Sequence, residues 1–191
     1  MRIEKKSITL KNGQSCVLRS PEIEDAEQLV EYIRTIAGET DFTIRYPEEA
    51  YIPVEQERFF LQHFMESGRD LMIIAEVDGK IAGNCQLSEI GKSRIKVRHR
   101  CSMAIGLYKE YWGLGIGKAL MELLEEKAIE NGYEQMELEV ISSNERAKGL
   151  YSRMGFVKTG EIPRAMKYKD GSYDGLDIMV KNLPKVICES R

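Results

Sequence analysis

The sequence predicts a single α/β domain in which a mixed, mostly antiparallel sheet is flanked by helices. Two patterns support this fold class. Short apolar runs are separated by Asn-Gly, Asp-Gly and similar turns, which are typical of hairpins, and four other stretches carry apolar residues at helical spacing. The predicted order is hairpin, two helices, three antiparallel strands, helix, strand, helix and hairpin. A length of 191 residues suits one domain, 1–191, with a substantial core.

The chain opens with a predicted hairpin, in which runs 7–10 and 15–19 flank Asn12-Gly13, a dipeptide that supplies the positive φ angles of a tight turn. A helix is expected next, with Ser20 as its N-cap, Pro21 at its first position and an end near Gly38. Its apolar face consists of Ile23, Ala26, Leu29, Val30 and Ile33.

Residues 39–53 lack clear periodicity, so they are predicted to form a loop before a helix over 54–67. The apolar face of that helix is expected to be Phe59, Phe60, Leu61 and Phe64.

The strands follow from alternation and from turn signals. Runs 70–77 and 80–90 around Asp78-Gly79 predict a second hairpin, and 94–107 predicts a third antiparallel strand. After a helix that starts near Ile116, a strand with one wet face is expected at 135–141. The last hairpin is predicted from 157–163 and 173–181.

Composition excludes several classes of function. Hydrophobic residues make up 42% of the chain, and the net charge of −3 argues against a nucleic-acid partner. Alternating basic residues between 92 and 100 are interpreted as one solvated strand face. No apolar run approaches the roughly 20 residues that span a bilayer, and the N-terminus has no signal core, so we expect a cytoplasmic protein without membrane contact. Scattered cysteines predict reduced thiols and no metal site: Cys16, Cys85, Cys101 and Cys188.

Three alternating glycines, Gly113, Gly115 and Gly117, join the apolar strand 101–107 to the helix that begins near Ile116. Glycine gives a ligand access to the main chain, and helix N-termini bind phosphate through unpaired N–H groups. A dinucleotide fingerprint would need glycine at Lys118, and a Walker loop would need different spacing and a hydroxyl, so neither pattern fits.

The glycine loop instead resembles that of the GCN5-related N-acetyltransferase (GNAT) superfamily, whose pattern is Arg or Gln, two residues, Gly, one residue, Gly or Ala. Here the pattern falls on Trp112, Gly115 and Gly117, and Trp112 departs from the usual Arg or Gln. A second segment matches the superfamily's next signature at Asn144, Ala147, Leu150-Tyr151 and Gly155-Phe156. The local pattern predicts a short helix in this segment, with a capping box formed by Ser142 and Glu145 at its start and Gly155 as its C-cap. The resemblance covers about residues 70–181.

The resemblance implies a GNAT-like fold and transfer of an acetyl group from acetyl-CoA to an amine by direct attack, without a metal. Main-chain N–H groups of the loop would bind pyrophosphate, the strand backbone would pair with the pantetheine arm, and Leu107 N–H would polarise the thioester. The cofactor-binding residues implied are Ile105, Leu107, Trp112, Gly113, Leu114, Gly115, Ile116, Gly117, Lys118, Asn144, Ala147 and Tyr151. Lys118, Lys148 and Arg153 are candidates for the 3′-phosphate.

Catalysis is expected to use Tyr151 as a hydrogen-bond donor to the departing sulfur. In some superfamily members a glutamate on the strand before the loop is the general base, and the corresponding residue here is Cys101. Glu89, His99 and Glu39 are the replacement candidates. In the superfamily the 39–53 region shapes the acceptor pocket, which makes substrate candidates of Glu39, Asp41, Phe42, Arg45 and Tyr46.

The sequence does not identify the acceptor amine. A small amine or amino-acid-like molecule is the first hypothesis, and a protein α-amino terminus, as in the ribosomal-protein type, is the second. A catalytically silent acyl-CoA-binding module and a loop for ATP or NAD are the alternatives from other classes. Homodimers are frequent in the superfamily, so a homodimer is possible.

Overall fold

The computed structural model describes residues 1–92 and 94–184. These residues form eight strands: β1 Lys6–Thr9, β2 Ser15–Arg19, β3 Leu71–Val77, β4 Lys80–Glu89, β5 Arg100–Leu107, β6 Gln135–Ile141, β7 Val157–Lys167 and β8 Tyr173–Asn182. Four α-helices accompany them: α1 Ala26–Glu39, α2 Val54–Glu66, α3 Ile116–Glu130 and α4 Glu145–Arg153. The strands follow the order β1-β2-β3-β4-β5-β6-β8-β7, and the pairing of β5 with β6 is parallel. The predicted mixed, mostly antiparallel fold is confirmed.

By the contacts of its main chain, the molecule contains two compact units. The first comprises Met1–Leu87 and Ile105–Leu124. Helices α1 and α2 bury their apolar faces against β3 and β4 in a core made of Ala26, Leu29, Tyr32, Leu61, Phe64, Met72, Ile74 and Ile81. Burying side chains of this size stabilises a fold by roughly 1.5–3 kcal/mol each.

The second unit comprises Ser88–Ala104 and the chain from Glu125 onward. Along β6, Met136, Leu138 and Val140 are buried while Glu139 is exposed, which confirms the predicted alternation. The β7–β8 hairpin is present, and β7 continues to Lys167, four residues beyond its predicted end.

The start of the first helix differs from the prediction. A single 3₁₀ turn, Ile23–Asp25, precedes α1, and Glu22 and Asp25 cap that turn reciprocally. Ser20 is not the cap, because its hydroxyl accepts a hydrogen bond from Ile3 N at 2.9 Å. Asp25 also binds Arg19 in a bidentate ion pair with both contacts at 2.7 Å. An ion pair between the end of β2 and the 3₁₀ turn therefore sets this helix start.

The buried face of α2 was predicted wrongly. Leu61 and Phe64 are buried as expected, but Phe59 is 73% exposed and Phe60 41% exposed, and Glu57 takes an inward position. The buried positions 57, 61 and 64 follow helical spacing. The prediction was wrong because it placed all three phenylalanines on one face.

Two turn predictions also need correction. Residues 95–99 form turns and β5 begins only at Arg100, so the alternating basic run does not form a strand face. In the first hairpin only Gly13 has a positive φ, of 88°, and Asn12 does not. The β3–β4 turn does follow the prediction, with Asp78 and Gly79 at φ values of 50° and 77°.

None of the helices in the described part of the chain is both long and apolar enough to cross a membrane.

Candidate active site

The glycine loop lies at the N-terminus of α3, as predicted. Gly113 and Gly115 have φ values of 81° and 103°, which favour glycine because other side chains meet the backbone there. The first bond of the helix runs from Ala119 N to Gly115 O at 3.1 Å. The N–H groups of residues 116–118 therefore precede the helical ladder and are available to an anion. A Cβ atom at Gly115 would have no neighbour within 4 Å, so the loop backbone is open on that side.

Neighbouring elements of the same unit hold this loop in place. Lys11 N, in the β1–β2 turn, donates to Leu114 O at 3.1 Å. Trp112 Nε1 donates to Leu107 O, at the end of β5, at 3.0 Å. The Trp112 side chain therefore binds the strand that precedes the loop, a role that the sequence could not assign. Ile105 and Leu107 are half-buried on β5.

Glu39 comes close to the same segment. Its Oε2 accepts a hydrogen bond from Lys109 N at 2.8 Å, which ties the last residue of α1 to the single 3₁₀ turn Lys109–Tyr111 between β5 and the loop. A carboxylate that accepts a backbone N–H at the start of such a turn is a capping group. This contact accounts for Glu39 without a substrate.

The remaining substrate candidates lie on the irregular segment before α2. Asp41, Phe42 and Arg45 are exposed, and Tyr46 N donates to Glu49 Oε2 at 2.9 Å in the 3₁₀ turn Pro47–Glu49. Burial raises the pKa of Glu57, and the positive charge of Arg45 partly offsets that rise. The segment thus carries charged and aromatic side chains but no fixed polar cluster around a single point.

In the second unit, α4 is capped differently from the prediction. Asn144 is the N-cap, and its Oδ1 accepts from Ala147 N at 3.1 Å. Ser142 does not cap the helix, because its hydroxyl donates to Asp177 Oδ1 at 2.5 Å. The C-terminal prediction is confirmed: Gly155 has a φ of 88° and Phe156 is buried. Asn144 and Ala147, two of the predicted cofactor residues, therefore contact each other.

Tyr151 is only 7% exposed and packs beside Phe156, with ring centroids 6.1 Å apart. Burial raises the pKa of Tyr151 to about 12. The hydroxyl is thus a stable hydrogen-bond donor at any physiological pH.

The three cationic candidates have different surroundings. Lys118 Nζ lies 2.6 Å from Glu122 Oε1, and Lys148 Nζ contacts Glu145 Oε1 at 2.7 Å and Ser142 O at 2.8 Å. The side chain of Arg153 is exposed and makes none of the ion pairs found among the described residues. Arg153 is therefore the cation most readily available to a phosphate.

The candidates for the general base differ in how accessible their side chains are. Cys101 is fully buried and donates to Gln135 O at 3.5 Å, so it cannot meet a substrate. His99 lies before β5 begins, in a turn where its carbonyl accepts from Glu134 N at 2.8 Å, so its predicted strand parity with Cys101 is wrong. Glu89 is half-buried at the end of β4.

The wet face of β6 adds a carboxylate that the sequence did not single out as a base. Arg100 engages Glu137 through two contacts of 2.5 and 2.8 Å, which lowers the pKa of Glu137. Glu139, two residues further on, is exposed and has no hydrogen-bond or ion-pair partner among the described residues. Glu139 is therefore a further candidate for the base. The only sequence signal was its place on the wet face of a strand that leads to Asn144.

The described residues contain no group of three His, Cys, Asp or Glu side chains placed to hold a metal ion. Cys16, Cys85 and Cys101 are buried free thiols, and Cys188 lies outside the described residues.

The chain is similar to known proteins in both sequence and structure. Residues 30–156 match the model of the Acetyltransferase (GNAT) family. An N-alpha-acetyltransferase from Sulfurisphaera tokodaii is 30% identical over 154 residues, which cover 76% of this chain and 83% of that protein.

Solved structures show the same fold. The GNAT-family acetyltransferase from Streptococcus pneumoniae is 29% identical with a TM-score of 0.82, over 88% of this chain and 99% of that one. A putative acetyltransferase from Salmonella typhimurium, solved with its cofactor acetyl-CoA, is 17% identical with a TM-score of 0.78, over 92% and 98%. The ribosomal-protein-alanine N-acetyltransferase from Brucella melitensis is 20% identical with a TM-score of 0.76, over 87% and 99%.

Proposed function

The chain belongs to the Acetyltransferase (GNAT) family and is an acetyl-CoA-dependent N-acetyltransferase, and we propose that its acceptor is an α-amino group. The observation that carries the proposal is the full burial of Cys101, at the position where some family members place a glutamate base. The name of the S. tokodaii relative, an N-alpha-acetyltransferase, supports the same class of acceptor.

The acid–base properties of amines explain why Cys101 matters. An α-amino group has a pKa of about 8, so about 10% is free base at pH 7, whereas an alkylammonium of pKa about 10.4 is well under 1% free base. An enzyme without a strongly placed base therefore handles an α-amino group far more easily. Glu139, an exposed carboxylate on the strand that leads to Asn144, is the candidate to assist loss of the proton.

The residues present fit the cofactor. N–H groups at the start of α3 would bind the pyrophosphate, and the β5 backbone at Ile105 would pair with the pantetheine arm as an added strand that reaches the thioester at Leu107. Asn144 Oδ1 is used by Ala147 N, so its NH₂ group is the donor left for a pantetheine carbonyl. Acetyl-CoA supplies the acetyl group as an activated thioester.

Two groups of the chain would assist the transfer. Leu107 N–H would stabilise the negative charge that develops on the thioester carbonyl oxygen as the amine attacks, a kind of contact worth 10²–10³ in rate where a single donor has been removed from other enzymes. Tyr151 OH would donate a hydrogen bond to the sulfur as the C–S bond breaks.

The cofactor assignment is tested by thermal unfolding with and without acetyl-CoA. At about 100 times its Kd, the ligand should stabilise the wild type by about 2.7 kcal/mol, which raises Tm by roughly 5–10 °C for a chain of this size. Gly115→Asp should abolish the rise, because it places a side chain and a negative charge at the proposed pyrophosphate site.

Gly132→Asp is the matched control, since Gly132 follows the other end of α3, has a φ of 74° and also has open space at its Cβ. It should keep the full response to acetyl-CoA. A wild type that responds to ATP or NAD but not to acetyl-CoA would sink the assignment.

The acceptor is tested by the release of free thiol from acetyl-CoA. We expect turnover with short peptides that have a free α-amino terminus, and loss of turnover when that terminus is blocked while a lysine remains free. Amino-acid amides extend the panel to small α-amino acceptors. Turnover on the lysine peptide alone would overturn the proposal in favour of an alkylamine acceptor.

A further inference from the structure

The peptide group between Leu107 and Tyr108 is held at both of its ends. Its carbonyl oxygen, Leu107 O, accepts from Trp112 Nε1 at 3.0 Å, and its N–H, on Tyr108, donates to Ala82 O on β4 at 3.0 Å. A peptide unit is planar, so two bonds at opposite ends fix its orientation.

A tight reversal of the chain brings Trp112 back to Leu107. Tyr111 N donates to Tyr108 O at 3.0 Å and Trp112 N donates to Lys109 O at 3.1 Å, which closes the 3₁₀ turn. The contact of Glu39 with Lys109 N at 2.8 Å holds the start of that turn. The indole therefore reaches Leu107 from a constrained backbone.

The strand geometry then gives the direction of the neighbouring N–H. Backbone N–H groups along a strand alternate between its two edges. Since Tyr108 N–H points to β4, Leu107 N–H points to the opposite edge of β5. Contact with β4 is tight, because a Cβ atom at Gly83 would lie 2.4 Å from Gly106 O and 2.9 Å from Leu107 Cα. Leu107 therefore cannot shift toward β4.

We propose that Trp112 is a positioning residue: its indole N–H fixes the Leu107–Tyr108 peptide, which restrains rotation about the Leu107 Cα–C bond and so helps to keep the preceding Leu107 N–H aimed at the thioester carbonyl oxygen. The inference rests on the proposed function, which assigns that N–H to the thioester. Tryptophan has one donor and no acceptor, so its hydrogen bonding is committed to one partner, unlike the Arg or Gln usual at this position.

Trp112→Phe tests the proposal because it keeps an aromatic ring and removes the N–H. We expect kcat to fall about tenfold, a fraction of the loss seen when such a donor is removed outright. Affinity for CoA, which has no thioester carbonyl, should stay within about twofold, while affinity for acetyl-CoA falls. Titration calorimetry measures both affinities without relying on tryptophan fluorescence.

Tyr111→Phe is the control, because it changes the half-buried aromatic residue next to Trp112. It should leave kcat and both affinities unchanged. If Trp112→Phe keeps its kcat, or weakens CoA and acetyl-CoA equally, the positioning role is wrong and Trp112 only packs the loop. If the wild type itself neither binds nor turns over acetyl-CoA, the proposed function fails instead.

A measurement on the wild type covers the case in which Trp112→Phe does not fold. Trp112 is the single tryptophan of the chain, so its indole N–H gives one NMR signal that needs no assignment by mutation. That signal should move further with acetyl-CoA than with CoA, because only the thioester carbonyl accepts from the N–H of Leu107, the residue whose carbonyl binds the indole. Equal movement with both ligands would overturn the proposal.

Discussion

At the scale of single residues, Tyr151 shows how burial prepares a group for one chemical role. Burial raises its pKa from 10 to about 12, so it donates hydrogen bonds without losing its proton. Full transfer of that proton to a thiolate of pKa about 8.5 is uphill, so hydrogen-bond donation is the role that the environment supports.

We therefore expect Tyr151→Phe to lower kcat about 10- to 100-fold while the KM for acetyl-CoA changes little. The wild-type rate should show no loss from ionisation of Tyr151 below about pH 11. Absorbance at 295 nm, compared between the two proteins, locates the titration of this one hydroxyl. A difference titration centred near pH 10 would contradict the burial argument.

The same shift has a consequence for stability. An unfolded tyrosine ionises near pH 10 and the folded one near 12, so the stabilising contribution of Tyr151 is complete below pH 10 and is lost as the pH rises through 12. Tyr151→Phe should remove this part of the alkaline fall in stability.

Glu139 carries the residue-scale prediction on proton transfer. Glu139→Gln should lower kcat/KM at pH 7, and the deficit should shrink above about pH 8, where an α-amino acceptor is already free base. Glu89→Gln and His99→Gln, measured over the same pH range, test the other two candidates. A deficit that follows either of these, and not Glu139, would move the base to that residue.

Trp112 and Glu39 show why the sequence could not assign every site residue. The glycine loop was predictable because positive φ angles at Gly113 and Gly115 and an open helix start need few residue types. The partners of Trp112 and Glu39 are backbone groups 5 and 70 residues away in sequence. Because every residue has a backbone carbonyl and nearly every residue a backbone N–H, the amino-acid types do not reveal such partners.

At the scale of elements, periodicity and turn chemistry predicted the strands and helices, whereas contacts between different elements decided the helix caps that the sequence missed. The strands β3, β4 and β6 and the helix α3 lie where alternation and helical spacing placed them. Ser20 and Ser142 looked like caps by local pattern, but contacts with other parts of the chain occupy their hydroxyls: Ser20 Oγ accepts from Ile3 N, and Ser142 Oγ donates to Asp177 Oδ1. Local propensity is a weak prior where such contacts exist.

The buried carboxylate of Asp177 connects β8 to the start of α4, and it leads to a prediction about the stability of these elements. Its carboxylate is 1% exposed, accepts from Ser142 Oγ, and lies 2.8 Å from Lys158 Nζ and 3.5 Å from Lys148 Nζ. Burial alone raises the pKa of Asp177, but Lys158, Ser142 and Lys148 outweigh it, and the pKa is lowered overall. The pair with Lys148 anchors the helix that carries Asn144 and Tyr151.

Asp177→Asn should destabilise the protein by about 1–3 kcal/mol, since it removes the buried acceptor that Ser142, Lys148 and Lys158 share, although each lysine keeps a second carboxylate partner. Urea unfolding measures the change. Because the folded pKa is depressed, the contribution is present above the unfolded pKa of about 3.9 and fades as the pH falls through the folded pKa.

Glu161→Gln is the matched control, because Glu161 contacts the same Lys158 at 2.7 Å from an exposed position. A surface pair of this kind is worth at most about 1 kcal/mol. Equal losses from the two variants would show that burial of Asp177 does not strengthen its interaction.

At the scale of the whole molecule, the question is whether the two compact units unfold together. Their boundaries fall between Leu87 and Ser88, Ala104 and Ile105, and Leu124 and Glu125, which lie inside β4, β5 and α3. Independent domains are normally joined by exposed linkers, and strands or helices that continue through a boundary cannot melt on one side without losing hydrogen bonds on the other. We therefore predict one cooperative transition. Scanning calorimetry of the 191-residue chain should give a single peak with equal calorimetric and van't Hoff enthalpies, near 130 kcal/mol at about 60 °C.

Saturating acetyl-CoA should raise the Tm of this whole peak, because a ligand that binds only the folded state stabilises everything that unfolds with its site. Two peaks, of which acetyl-CoA moves only one, would show instead that the units are separate domains and that the cofactor contacts are confined to one of them.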